Sequence, residues 1–202
     1  ALPQNVKQAG PPPHLNDSAY LGSWKALEEA YNDIGNHNIA SIGISNFNSV
    51  DELRELEQSA VIVPHILQVN IWSVLFNPEL VEYCRDRHIL LQGYNVMNGI
   101  VGQQERGPRA WQMITGSKHN GSARILQWLV QQGISVIPRS VHHVADNAPA
   151  VIQQMPPLSE AQIRELLPAL QALLQGRDLG QPQARFVNHV DNDSHVDIYW
   201  HS

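Results

Sequence analysis

A fourfold alternation of short apolar segments with amphipathic segments constrains the fold of this chain more than any other feature of its sequence. The apolar segments are rich in β-branched residues, as buried strands are, and they lie at residues 39–45, 61–70, 89–94 and 134–138. Strands that alternate with helices pair in parallel, because each helix returns the chain to the same end of the sheet. We therefore expect an α/β protein with four parallel strands, arranged as a sheet or as part of a barrel.

Local signals indicate where helices begin. Ser49 and Glu52 form a capping-box pattern, and Ser159 and Gln162 form a second one, so a helix is predicted after each serine. Asn77 is predicted to cap another helix, because it precedes a proline at the first helical position. Helices are therefore expected both between the strands and after the last one.

The two ends of the chain differ from its middle. The proline run at residues 11–13 predicts an irregular lead-in. Near the other end, Val196, Ile198 and Trp200 alternate with other residues after a turn signal at residues 191–193, which predicts a β-hairpin. The predicted order is a lead-in, a β/α region with C-terminal helices, a linker and a hairpin tail, at residues 1–19, 20–175, 176–185 and 186–202.

Charge and cysteine content exclude several classes of protein. The 13 Lys and Arg residues are outnumbered by 19 Asp and Glu and form no dense cluster, so nucleic acid is not an expected partner. No apolar run approaches the roughly 20 residues that span a bilayer, so no membrane span is expected. Cys84, the only cysteine, is expected to be buried and inert in an intracellular protein of the cytoplasm or an organelle matrix. The ten histidines lack metal-ligand spacing, so no metal site is predicted.

Five short motifs follow one another through the β/α region. They are residues 23–29 (SWKALEE), 42–47 (IGISNF), 68–70 (QVN), 83–85 (YCR) and 136–140 (VIPRS). In this order and spacing they resemble landmarks of the aldo-keto reductase family over approximately residues 20–174. The resemblance implies the fifth to eighth strand–helix units of that family's (β/α)8 barrel. The expected fold is therefore half of such a TIM barrel, since a complete barrel needs about 250 residues.

The resemblance implies a site for NADP(H) or NAD(H) at the carboxyl ends of the strands, where the strand-to-helix loops of a barrel meet. It assigns Ser45, Asn46 and Gln68 to the nicotinamide carboxamide, and it assigns Tyr94 to stacking on the nicotinamide ring. Without the resemblance, the first two are turn and cap residues, the glutamine satisfies polar neighbours and the tyrosine packs in the core. The residues by themselves leave both interpretations open.

A second group of candidates follows the fourth strand. Arg139 and Ser140 match the basic residue and hydroxyl that hold the adenosine phosphate in the family. The family then has an arginine and a Glu-Asn pair, where this chain has His143 and later Asp146 and Asn147. His143 and Asn147 are therefore included as cofactor ligands, and the choice between the two cofactors stays open. Taken alone, Arg139 is a surface charge.

The family's catalytic Asp, Tyr, Lys and His belong to its first four units, and no residue here matches them. The first functional hypothesis is a fragment or subunit of an aldo-keto reductase that carries the NAD(P)H-binding half. Carbonyl reduction then requires another chain that supplies the catalytic tetrad. The alternative is a non-catalytic structural or adaptor subunit derived from such a reductase.

An open half-barrel leaves two strand edges unpaired, so a protein partner or a second copy is expected to cover it. The surface expected to meet water includes Ile42, Ile44, Val69 and Leu91 or their neighbours.

The tail carries a separate resemblance. Residues 186–188 and 196–200 are similar to the opening strands of the von Hippel-Lindau β-domain. The alternative for this tail is a docking hairpin of no particular family.

Overall fold

The computed structural model describes residues 19–33, 38–100, 102–116, 121–139, 144–145 and 147–180. The helices of this part are α1 Ala19–Asn32, α2 Val50–Glu57, α3 Ile71–Leu75, α4 Pro78–Asp86, α5 Pro108–Thr115, α6 Gly121–Gln131, α7 Pro149–Gln154 and α8 Glu160–Leu174. The strands are β1 Gly43–Ser45, β2 Ile66–Asn70, β3 Leu90–Tyr94 and β4 Ser135–Val136. The predicted hairpin tail, and all but the last residue of the predicted lead-in, lie outside the described residues.

The strands form one parallel four-stranded sheet in the order β1-β2-β3-β4. Each strand pairs with the next one along the chain, and helices make the connections. The parallel α/β arrangement predicted from the alternation is therefore confirmed. In the described part of the chain, β1 and β4 lie at the two edges of the sheet.

The predicted helix starts are confirmed at three positions. Both capping boxes form, because each serine oxygen accepts from the backbone three residues on, while the Glu52 or Gln162 side chain accepts from the serine N–H. Asn77 caps α4 by accepting a 3.3 Å hydrogen bond from the Leu80 N–H. All four strands are shorter than their apolar segments, since β1 has 3 residues, β2 and β3 have 5 each and β4 has 2.

One face of the sheet is covered by helices and carries the main core. Leu67, Val69 and Leu91 belong to one buried cluster with residues of α6 such as Ile125. Ile42 belongs to a second cluster, with Trp24 and Leu56.

Of the residues expected to meet water, Ile42, Val69 and Leu91 are buried, with exposed fractions of 5%, 0% and 6%, whereas Leu90, a neighbour of Leu91, is 43% exposed. Ile44 is half-buried and packs against both clusters. The cause is the two-residue period of a strand, which sends alternate side chains to opposite faces. The register pairs Leu67 with Leu91, so both lie on the covered face.

The opposite face of the sheet, which we call the open face, is polar in its middle. Its middle level consists of Ser45, Gln68, Gln92 and Ser135. Towards the amino ends of the strands the level below consists of Gly43, Ile66 and Leu90. Bulky branched residues usually dominate the interior of a barrel. The polar side chains of the middle level differ from this usual apolar packing. We therefore take this face of the sheet as a candidate functional site.

The segment after α8 returns to the start of α5. Asp178 is buried, and its Oδ1 accepts a 2.9 Å hydrogen bond from the Ala110 N–H in the first turn of α5. Gly107 precedes that helix, and a Cβ there would lie 2.6 Å from the Leu173 Cδ2 and 2.8 Å from the Arg177 carbonyl oxygen. The first residues of the predicted linker, 176–180, are therefore packed on α5, and its remainder lies outside the described residues.

Membrane-spanning helices, metal-binding clusters and the single cysteine were considered above from the composition, and the structure bears on each of them. Of the helices that the structure describes, none is both long and apolar enough to cross a membrane. No cluster of three or more His, Cys, Asp or Glu side chains in the same residues is arranged to hold a metal ion. Cys84 is buried as predicted, and burial raises the pKa of its thiol to about 11.

Candidate functional site

Side chains from three adjacent strands meet at the carboxyl end of the sheet. Ser45 ends β1, and its hydroxyl donates a 3.0 Å hydrogen bond to the backbone carbonyl of Gln68 in β2. The Asn46 backbone N–H donates to the same carbonyl at 2.9 Å. The loop after β1 is therefore held directly beside the second strand.

Tyr94 reaches across this group from the third strand. Its hydroxyl donates a 2.8 Å hydrogen bond to the Oδ1 of Asn46. Since β2 lies between β1 and β3, this bond spans the end of the middle strand. The bond fixes both the tyrosine hydroxyl and the orientation of the Asn46 amide.

The backbone turns sharply where β1 and β3 end. Asn46 has a φ of 63° and Asn95 has a φ of 56°, both in the left-handed region. Asparagine tolerates this region better than most non-glycine residues do. The two asparagines therefore let each strand turn immediately into its loop, which keeps Asn46 and Tyr94 at the sheet end.

Gln68 is held from the side by a residue that no motif singled out. Its Nε2 donates a 2.8 Å hydrogen bond to the Oε1 of Gln92, which lies opposite it in β3. The signal for this pair is a repeated tripeptide, since β2 contains Ile-Leu-Gln and β3 contains Leu-Leu-Gln at equivalent register. Gln92 therefore belongs to the candidate site.

The loop after β1 is also tied to the helix that follows. Glu52 in α2 accepts hydrogen bonds from the backbone N–H groups of Asn48 and Ser49, at 2.8 and 2.9 Å. The Asn48 side chain in turn donates to the carbonyl oxygen of Asn46 at 3.0 Å. The capping box thus helps to place the site as well as to start α2.

The group predicted to hold the adenosine phosphate is not brought together in the described residues. Arg139 follows β4 and is exposed. Ser140 and His143 lie outside the described residues. Asn147 is half-buried, and its buried Oδ1 has no hydrogen-bond partner among them. The four residues predicted to contact the nicotinamide lie together at the sheet end, and the binding roles predicted for both groups stay predictions.

The polar atoms at the sheet end fit a primary carboxamide. Such a group has one carbonyl acceptor and one NH2 donor. In the described residues, the Asn46 side chain uses its Oδ1 to accept from Tyr94, and the Gln68 side chain uses its Nε2 to donate to Gln92. An amide NH2 on Asn46 and an amide oxygen on Gln68 are therefore left to bind a ligand of this type.

Comparison with known proteins gives relatives over part of the chain. No protein-family model matches it. It is 35% identical over 136 residues to the glyoxal reductase of Bacillus subtilis (strain 168), which covers 64% of this chain and 45% of that protein. It is 32% identical over 139 residues to the NAD(P)H-dependent D-xylose reductase I,II of Candida tropicalis, with coverages of 63% and 42%. The chain thus spans less than half the length of these two relatives.

A solved structure shows the same fold. An aldo-keto reductase from a Medee basin deep-sea metagenome library superposes with a TM-score of 0.60 at 22% identity, over 87% of this chain and 60% of that one. The relatives and structural neighbours of this chain are aldo-keto reductases, so the resemblance inferred from the five motifs is confirmed. The fold matches part of their TIM barrel, as predicted. The comparisons give no support to the von Hippel-Lindau resemblance of the tail.

Proposed function

We propose that this chain forms the nicotinamide-cofactor half of an aldo-keto reductase-like oxidoreductase. Carbonyl reduction then depends on catalytic residues supplied by strand–helix units outside the matched segment. The observation that carries the proposal is the convergence of Ser45, Asn46, Gln68 and Tyr94 at one end of the sheet, in a chain of hydrogen bonds. One of the relatives is named as an NAD(P)H-dependent reductase, which supports this class of cofactor.

Asn46 and Gln68 bind the carboxamide in this proposal. The Asn46 Nδ2 donates to the carboxamide oxygen, and the Gln68 Oε1 accepts from its nitrogen. Each side chain is already oriented by a neighbour, Tyr94 for the first and Gln92 for the second. Little side-chain entropy is therefore lost when the ligand binds, which favours affinity.

Tyr94 contributes the flat face on which the nicotinamide ring stacks. Its ring is half-buried, and its hydroxyl is held by Asn46. An aromatic face of this kind holds one side of a planar heterocycle and leaves the other side for a substrate. A bound reduced cofactor supplies the hydride that a carbonyl compound accepts. This chain positions the ring, while the proton for the carbonyl oxygen comes from the units outside the match.

Arg139 is proposed to bind the adenosine phosphate, together with Ser140, His143 and Asn147. Arg139 lies three residues after β4 and is exposed, so its guanidinium is accessible to an anionic ligand. A guanidinium and a hydroxyl are suited to phosphate oxygens. Both NADP(H) and NAD(H) are candidates, because the residues after Ser140 depart from the family pattern.

We further propose that protein covers the open face, either as the remaining units of a barrel or as a second copy. Two features support this: among the described residues β1 and β4 form the sheet edges, and Leu90 on the open face is 43% exposed. Unpaired edges and exposed apolar side chains are usually covered in native proteins. The non-catalytic subunit remains the alternative for a chain that has this surface but has lost the cofactor.

Calorimetric titration of the 202-residue chain with NADPH and with NADH tests the proposal. Wild type is expected to bind at least one of them. Gln68→Met, Tyr94→Ala and Arg139→Ala are each expected to weaken binding by about 1 to 3 kcal/mol, through lost hydrogen bonds, stacking or charge. Gln112→Met on the exposed side of α5 is the matched control and is expected to bind like wild type.

Two results would contradict the proposal. If neither cofactor produces heat of binding, the chain is not a cofactor half, and the non-catalytic alternative gains support. If the three site variants bind as the Gln112→Met control does, a cofactor binds elsewhere on the molecule.

A further inference from the structure

We infer that Gln92 is a positioning residue of the cofactor site. It orients the Gln68 amide so that Gln68 presents its oxygen, and not its NH2 group, to the nicotinamide carboxamide. This inference rests on the proposed function and adds to it a residue outside the family motifs in this sequence.

The register of the sheet places the two glutamines side by side. Gln68 and Gln92 are paired residues of β2 and β3, so their side chains extend from the same face. Their amides are joined by the 2.8 Å bond from Nε2 of Gln68 to Oε1 of Gln92, and both side chains are half-buried. The Gln68 backbone is held as well, because its carbonyl accepts from the Ser45 hydroxyl. What is left to fix is the rotation of the terminal amide.

That rotation decides whether the carboxamide is recognised. A primary amide has nearly the same shape when its oxygen and nitrogen exchange places, but the hydrogen-bonding character of each side is reversed. While the Gln92 oxygen faces residue 68, as it does here, only one orientation of Gln68 makes the bond between the strands, and this orientation directs the Gln68 oxygen elsewhere. Without that acceptor, Gln68 also samples the reversed orientation, which sets an NH2 group against the NH2 of the ligand.

Substitutions at residue 92 separate the acceptor from the size of the side chain. Gln92→Met keeps a side chain of similar length but removes the acceptor, whereas Gln92→Glu keeps acceptor oxygens. NADPH is the probe, because its reduced nicotinamide ring is uncharged and does not attract the new carboxylate. We expect Gln92→Met to weaken NADPH binding about two- to tenfold, the range for one net hydrogen bond. Gln92→Glu is expected to bind within about twofold of wild type.

Two further readouts distinguish positioning from a general structural effect. Binding of 2′,5′-ADP, which lacks the nicotinamide, is expected to be the same in wild type and Gln92→Met. In a Gln68→Met background, Gln92→Met is expected to cause no further loss of NADPH affinity, because Gln92 acts through Gln68.

Each other outcome overturns the inference. Equal NADPH binding by wild type and Gln92→Met overturns it and leaves the proposed function intact. Three outcomes would show that Gln92 only supports the structure of the sheet. They are equal losses of NADPH affinity in the Met and Glu variants, a parallel loss of 2′,5′-ADP binding in Gln92→Met, and an additive loss in the double variant. If wild type does not bind NADPH at all, both this inference and the NADPH site of the proposed function fail.

Discussion

At the scale of single residues, Tyr94 contributes two separable parts, an aromatic face and a hydroxyl bound to Asn46. Tyr94→Phe removes only the hydroxyl, whereas Tyr94→Ala removes both parts. If stacking supplies the affinity, the Phe variant is expected to bind NADPH within about threefold of wild type, while the Ala variant loses roughly 1 to 3 kcal/mol. Titration calorimetry measures both. Equal losses in the two variants would show that the hydroxyl, and not the ring, matters for binding.

Cys84 gives a prediction that depends on pH. Burial raises the pKa of its thiol to about 11, so at pH 8 only about one thiol in a thousand is ionised in the folded chain. An unfolded chain, with a thiol pKa of about 8.5, ionises readily at this pH. The contribution of this protonated thiol to stability is therefore present below about pH 8.5 and is lost as the pH rises towards 11.

A maleimide or disulfide reagent at pH 8 is therefore expected to label Cys84 only at the rate at which the protein opens. Labelling should accelerate sharply across the urea unfolding transition. Rapid stoichiometric labelling of the native chain would contradict the burial of this thiol.

The sequence indicated some site residues and missed another for a clear reason. Ser45, Asn46, Gln68 and Tyr94 were predicted from the family resemblance, and the structure brings them together. The bond between Gln68 and Gln92 depends on the pairing register of two strands, which no local pattern specifies. The one sequence signal for this bond is that an apolar pair precedes each of the two glutamines.

At the scale of elements, α5 is started by a residue far along the chain. Gly107 at its N-terminus has no side chain to cap the helix. Asp178 supplies the acceptor instead. Burial raises the pKa of this carboxyl, but backbone N–H donors from Ala110, Leu179 and Arg109, together with the positive charge of Arg109, outweigh that effect and hold the pKa below its usual value. The ionised carboxylate is therefore part of the folded structure.

The sign of the pH dependence follows from this lowered pKa. Stabilisation by Asp178 is fully present above the pKa of an unfolded aspartate, about 3.9, and it is lost as the pH falls through the lower folded value. Asp178→Asn is expected to lower the urea midpoint at pH 7 and to reduce the loss of stability as the pH falls below about 5. Asp86→Asn, at an exposed position of α4, is the matched control. An unchanged midpoint in Asp178→Asn would contradict the capping role.

The capping of α5 by the distant Asp178 also explains why the start of this helix was not predicted from the sequence. Its start lies in a glycine-rich stretch, and the acceptor that stabilises it comes from a residue 68 positions away in the sequence. By contrast, α2 and α8 carry both halves of a capping box within four residues and were predicted at their starts. The faces of the strands stayed open for a related reason, since the apolar residues of β2 and β3 could face either side until the register was known.

At the scale of the whole molecule, the open sheet predicts association. Its two edge strands and the exposed Leu90 on the open face favour a covering partner. Burying apolar surface contributes roughly 25 cal/mol per Å², so an interface of ordinary size adds several kcal/mol to stability after the cost of association. Sedimentation at micromolar concentration is expected to show a dimer or larger species, or a complex with a second polypeptide. A stable monomer that unfolds cooperatively would contradict this expectation.

The central claim is that the sheet end formed by Asn46, Gln68 and Tyr94 receives a nicotinamide. A crystal structure of the chain grown with saturating NADPH, or NADH if that binds better, tests it most directly. We expect the carboxamide within hydrogen-bond distance of the Asn46 Nδ2 and the Gln68 Oε1, with the nicotinamide ring on the face of Tyr94. A cofactor bound elsewhere on the molecule, with these three side chains still bonded only to their protein neighbours, would contradict it.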